Sequence, residues 1–113
     1  MKLVRLGDGK VISKSVVLAD SWFKKTFGLL VGPALVDDQC LMIAGCRSIH
    51  TLGMSYGIDV VFIDTRGRIV KIYRGLKPYR VTGFVSGAEA VIEFKGGVAG
   101  SKQLASKQVL NLQ

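Results

Sequence analysis

The stretch Cys46 to Asp64, CRSIHTLGMSYGIDVVFID, concentrates the side chains of this chain that could do chemistry. It carries one of two cysteines, the only histidine, the hydroxyls of Ser48 and Thr51, the Met54 thioether and the Asp59 carboxylate. Asp59 stands out by context. It interrupts the most continuous apolar run, Ile58 to Ile63, and a carboxylate in such a run is costly to bury unless it is hydrogen-bonded or ion-paired.

These residues could serve a metal, a nucleophile, a structural network or a binding pocket. Cys40-x5-Cys46-x3-His50 supplies two soft ligands and an imidazole that Asp59 could complete. The spacing matches no ordinary zinc module, which would show Cys-x2-Cys pairs or His-x3–5-His, so neither metal nor other cofactor is expected. A small hydrolase-like enzyme would use Cys46 as nucleophile with His50 and Asp59. An extended segment from 46 to 51 puts Cys46, Ser48 and His50 on one face, but Cys46 and His50 then stand about 13 Å apart at ~3.3 Å per residue, too far for a nucleophile–base pair. Ser48, His50, Thr51 and Asp59 could instead satisfy one another and nearby backbone. The same groups with Met54 could line a shallow pocket for a small ligand or a partner's peptide. A non-catalytic binding or accessory module with its site around His50 is the expectation, with Ser48, His50, Thr51, Met54 and Asp59 as the binding residues.

A second set of residues points elsewhere. Arg66, Arg68, Lys71, Arg74, Lys77 and Arg80 are interleaved with Tyr73 and Tyr79, offering charge for phosphate and rings for base stacking. The chain holds 16 Lys+Arg against 8 Asp+Glu, a net of +8. Residues 1 to 64 carry seven basic and six acidic side chains, residues 65 to 113 nine and two. Nucleic-acid binding is therefore an alternative, weakened because Arg68 and Lys71 differ in strand parity and spread the charge over two faces. A solvated basic face is the simpler expectation.

The scaffold must be one domain of 113 residues, 49% hydrophobic, long enough for a core without staples. Two cysteines are too few for a disulfide scaffold. No apolar run approaches a membrane span, and MKLVRLGDG does not read as a signal peptide, so a cytoplasmic protein with reduced thiols is expected.

Taken in order, residues 2–6 and 11–18 flank Gly7-Asp8-Gly9-Lys10 as strand, turn and strand. Ile12, Val16 and Leu18 alternate on one face, with Lys14 the exception. Asp20-Ser21 offers caps for a helix through Leu30, where Phe23, Phe27 and Leu30 form an apolar stripe. A buried strand is expected over 40–44, then a hairpin of 58–63 and 68–74 around the turn 64–67, β-branched on both faces and so central in its sheet. Residues 81–85 suggest a short strand. In 88–94, Ala90, Ile92 and Phe94 alternate inward and Glu89, Val91 and Glu93 outward. Ser101 could cap a short helix to Ala105, and 109–112 forms a last strand. The predicted fold is α+β, mainly β: six to eight short strands in a small barrel-like curled sheet with two short helices.

Cys-Arg-Ser-Ile-His-Thr, then Met54, then Ile-Asp-Val-Val-Phe-Ile-Asp resembles the Domain of Unknown Function 192 family of small bacterial and archaeal proteins. Gly28-Leu29-Leu30, the turn Asp64 to Gly67, Pro78 with Arg80, and GAEAVIEFKGG fit as well. The resemblance covers roughly residues 17–112 and implies a compact β-rich fold with no settled activity. The chain departs from the family pattern at Gly57, where Pro is usual, at Val31-Gly32-Pro33, where an Arg is common, and at Ser106-Lys107, where Gly-Asp is usual.

Overall fold

The computed structural model describes residues 1–20, 38–45, 47, 57–77 and 82–113. Among the described residues the strands are β1 (Leu3–Arg5), β2 (Val11–Ser13), β3 (Ser15–Asp20), β4 (Gln39–Ala44), β5 (Ile58–Ile63), β6 (Ile69–Leu76), β7 (Ala90–Lys95) and β8 (Leu110–Leu112), and the helix is α1 (Val98–Ser101). They pair into a three-stranded sheet, β2-β1-β8, and a five-stranded sheet, β3-β4-β7-β5-β6. Only β3 and β4 run parallel. The described strands do not close into a barrel; the mainly β, α+β class stands. The helix expected over 20–30 lies outside the described residues, apart from Asp20, which ends β3.

The Asp-Gly turn forms as its sequence requires. Gly7 and Gly9 take φ of 105° and 71°, and the Arg5 and Gly9 amides close the hairpin on the Lys10 and Arg5 carbonyls. The second arm is not one strand. It breaks at Lys14, so that β2 stays with β1 while β3 joins the larger sheet. The Asp38 carbonyl takes the Lys14 and Ser15 amides and the Ser13 hydroxyl, at 3.1, 3.0 and 2.7 Å. The charge that broke the alternation marks the corner where the chain changes sheets.

The larger sheet is buried on both faces. Leu41, Ile43, Ile58, Val60, Phe62 and Val91 pack with Val85 and Ala88 on one side. Cys40, Val61, Ile63, Ile92 and Phe94 pack on the other against Leu3, Ile12, Ala99, Leu104 and Leu110. The expected outward set of β7 is therefore corrected: Val91 and Glu93 are fully buried, because β7 is the central strand. The hairpin is corrected too. β5 is interior, but β6 is the outer strand, which explains its mixture of buried and exposed positions.

The turn into β6 depends on Gly67. Its φ is +81°, and a Cβ there would run into the Leu110 carbonyl oxygen. That close approach lets the Leu110 amide reach the Gly67 carbonyl at 2.8 Å and lets Arg68 bridge Val109, tying the end of the chain to the larger sheet. Residues 82–85 form no strand. The helix expected from Ser101 instead ends there, because its cap comes from a distant strand.

Candidate functional site

Asp59 lies in the middle strands with 2% of its surface exposed. Its Oδ1 accepts the Gly75 amide at 2.7 Å, and its Oδ2 accepts the amides of Gly97 and Ala99 at 3.0 and 2.8 Å. Gly75 is one of two β6 residues set against Asp59, a bulge that turns its amide onto the carboxylate. Gly75 and Gly97 hold φ of 63° and 95°, so glycine at both places frees the backbone to aim its N–H. The α1 N-terminus has no side-chain cap of its own, and Asp59 supplies that anion from across the fold. Sequence reasoning found the residue that needed partners; the partners are amides remote in sequence.

Ser48, His50, Thr51 and Met54, and Cys46 of the hydrolase alternative, lie outside the described residues. Of the metal set, Cys40 and Asp59 are described. Both flank Phe94 on one face, Cys40 from β4 and Asp59 from β5. Two strand spacings, about 10 Å, separate their backbones, whereas ligands lie about 2.0–2.3 Å from a zinc ion. Burial pushes the Cys40 thiol up to about 11, opposed by the Ser13 hydroxyl. Among the described residues, no three His, Cys, Asp or Glu side chains form a metal-holding group.

The described part of the basic run is divided among separate tasks. Arg66 and Arg68 are exposed in the turn, where their amides both donate to Oδ1 of Asp64 at 2.9 Å. Those bonds, led by that from Arg68, lower the Asp64 pKa. The Lys71 ammonium sits 5.2 Å from the Tyr73 ring centre, and that ring meets Phe62 edge-on at 6.0 Å. Arg74 donates to the Leu104 carbonyl at 2.8 Å. Lys77 follows β6 and is exposed, while Tyr79 and Arg80 lie outside the described residues.

Three polar features escaped the sequence reading. Glu93 sits between Leu41 of β4 and Val60 of β5, fully buried. The signal was present, since it is a lone charge in an apolar run just as Asp59 is. Arg5 is 8% exposed, donating to Asp8 and to the carbonyls of Lys102 and Gln103 at 2.9 and 3.2 Å. Its arginine partner draws the Asp8 carboxyl down to about 2. Beside the motif, the Arg47 guanidinium lies 5.6 Å from the exposed Phe84 ring and 3.3 Å from Glu89. Nothing local in the sequence announces either pairing.

A mainly β module of two packed sheets, with its polar motif on the connection from β4 to β5, defines the class. The family model of Domain of Unknown Function 192, described as an uncharacterized ACR, matches residues 4–112, and the chain belongs to that family. The match takes in the first hairpin as well as the region from residue 17. A UPF0127 protein of Thermococcus sibiricus (strain DSM 12597 / MM 739) is 34% identical over 100 residues. The match covers 85% of this chain and 64% of that relative, so the chain spans less than two thirds of its length. Two crystal structures share the fold at 18% identity. A protein of unknown function from Novosphingobium aromaticivorans DSM 12444 has a TM-score of 0.82, covering 99% of this chain and 84% of its own. A proposed transcription regulator from Sinorhizobium meliloti 1021 has a TM-score of 0.77, covering 97% and 92%. No helix among the described residues is long and apolar enough to cross a membrane.

Proposed function

We propose that this protein is a non-catalytic binding or accessory module whose ligand groups are Ser48, His50, Thr51 and Met54. The commitment of Asp59 carries this reading. A catalytic triad built on Cys46 and His50, or a metal set built on Cys40, needs that carboxylate as its acidic member. Here both oxygens are engaged by three backbone amides that hold a bulge and a helix end. Asp59 thus serves as the anchor at the root of the motif, and recognition falls to the hydroxyl, imidazole and thioether groups before it.

Two measurements test this. In nitrogen-15 NMR, titration with a library of small polar fragments should shift signals clustered at Ser48, His50, Thr51 and Met54, and His50→Ala should remove those shifts while leaving the Tm nearly unchanged. Turnover of p-nitrophenyl acetate that is lost in both Cys46→Ala and His50→Ala would overturn the reading in favour of the hydrolase.

A further inference from the structure

At the corner where the chain leaves β2 for β3, a half-open cavity of about 320 Å³ is lined by Ile12, Ser13, Asp38, Gln39, Phe94, Val98, Ser101 and Lys102. This falls within the size range of small-molecule sites, about 300–1,000 Å³. Its apolar residues are Ile12, Phe94 and Val98; its charged residues are one carboxylate and one ammonium. Lys102 Nζ lies 3.9 Å from Oδ1 of Asp38, while Lys14 Nζ lies 3.9 Å from Oδ2. Both separations are too long for hydrogen bonds, so among the described residues the Asp38 carboxylate is flanked by two ammonium groups that do not hydrogen-bond to it.

The position of that carboxylate is built. Asp38 holds φ of +64°, a left-handed conformation that aspartate and asparagine adopt more readily than other non-glycine residues. The turn is fixed because the Asp38 carbonyl takes two amides and the Ser13 hydroxyl, and Ser13 itself is 1% exposed.

We propose that this cavity binds a small apolar α-amino acid as its zwitterion. The Asp38–Lys102 pair presents an anion and a cation a few ångströms apart over an apolar wall. An α-amino acid presents the complementary cation and anion on neighbouring atoms, with an apolar side chain attached. Its ammonium meets Asp38, its carboxylate meets Lys102, and its side chain lies against Val98, with the buried Ile12 and Phe94 beneath as the cavity floor. One loose ion pair is exchanged for two charge-assisted hydrogen bonds. The site shares no residue with the motif site and stands independently of it.

Nitrogen-15 NMR titration with leucine tests the assignment, with N-acetyl-leucine, leucine amide and glycine as comparison ligands. Leucine should bind with a dissociation constant on the order of 1 mM or tighter, shifting the amides of Ser13, Gln39, Val98 and Lys102. Removing the ligand's ammonium, its carboxylate or its side chain should weaken binding at least about tenfold. Asp38→Asn, which keeps a residue tolerant of the left-handed backbone, and Lys102→Met should each do the same with the rest of the spectrum unchanged. No saturable shift with leucine, shifts remote from these residues, or equal binding of the acetylated or amidated forms would overturn the proposal.

Discussion

The Gly75 amide donates to Oδ1 of Asp59 at 2.7 Å, where β6 sets Arg74 and Gly75 against the single residue Asp59 of β5. The other carboxylate oxygen holds Gly97 and Ala99 at the start of α1. One buried charge therefore joins a bulge to a helix end, and its value follows from the alternative: without it, three amides lose their partner.

Asp59→Asn should therefore be costly. An asparagine keeps one acceptor oxygen and turns its NH2 group toward an amide donor on the other side. Leaving buried donors unsatisfied costs about 1–3 kcal/mol each, so a loss of at least about 2 kcal/mol is expected in urea unfolding. His50→Ala should add independently, within about 0.5 kcal/mol, because the amides already supply Asp59's partners. Strong non-additivity, or a near-neutral Asp59→Asn, would contradict this arrangement.

The contrast between Asp59 and its partners marks how far the sequence could be read. A charge inside IDVVFI declares a need for hydrogen bonds, and the turns at Gly7–Gly9 and Asp64–Gly67 declare their backbone geometry, since both are local rules. What supplies the bonds is non-local. Gly75, Gly97 and Ala99 lie 16, 38 and 40 residues from Asp59, and no spacing rule connects them. The edge placement of β6 escaped for the same reason, because strand order in a sheet is a tertiary property. The split of residues 11–18 at Lys14 was readable as a break in alternation, but not as a change of sheet.

The Arg5–Asp8 pair gives acid sensitivity. The folded Asp8 pKa is about 2 against an ordinary 3.8, mainly through the Arg5 side chain. A depressed carboxyl contributes stability that is present above pH 3.8 and lost as pH falls toward 2. The urea midpoint should therefore fall over that window in the native protein and fall less in Asp8→Asn. Parallel curves for the two proteins would remove Asp8 from the account.

Cys40 gives the opposite sign at the alkaline end. Burial raises its folded pKa to about 11 from 9.0, so its contribution is intact below pH 9 and lost as pH rises toward 11. The thiolate is the reactive form, so Cys40 should resist iodoacetamide at pH 8 in the folded protein and react once urea is added. Peptide mass spectrometry distinguishes it from Cys46. Alkylation of native Cys40 within minutes would contradict its burial.

Two backbone positions should respond in opposite directions. Gly67→Ala places a methyl group against the Leu110 carbonyl at a φ of +81°, and a loss of more than about 1 kcal/mol is expected. Lys107 holds φ of 77° without being glycine. Lys107→Gly relieves roughly 1–2 kcal/mol of left-handed cost against up to about 1 kcal/mol of added unfolded-state entropy, so a net gain of several tenths or more is expected. Thermal unfolding of the two variants measures both signs.

The last prediction concerns the charge of the second half. Residues 65–113 carry nine basic and two acidic side chains, and the described members of the basic run make separate local contacts. Arg74 donates to the Leu104 carbonyl, Lys71 sits by Tyr73, and Arg66 and Arg68 share the Asp64 turn. A nucleic-acid site needs its cations along one backbone path with free aromatic faces between them, and the Lys71 ammonium already lies over the Tyr73 ring. Oligonucleotide binding should therefore be of the non-specific kind, with a dissociation constant of about 10⁻⁴ to 10⁻⁶ M at physiological salt and a log K that falls linearly with log salt. Fluorescence anisotropy with single-stranded DNA and RNA across a salt series measures this directly. Submicromolar binding at physiological salt, abolished by Arg74→Ala together with Tyr73→Ala, would show that the dispersed charges gather around nucleic acid and would make this face the functional one.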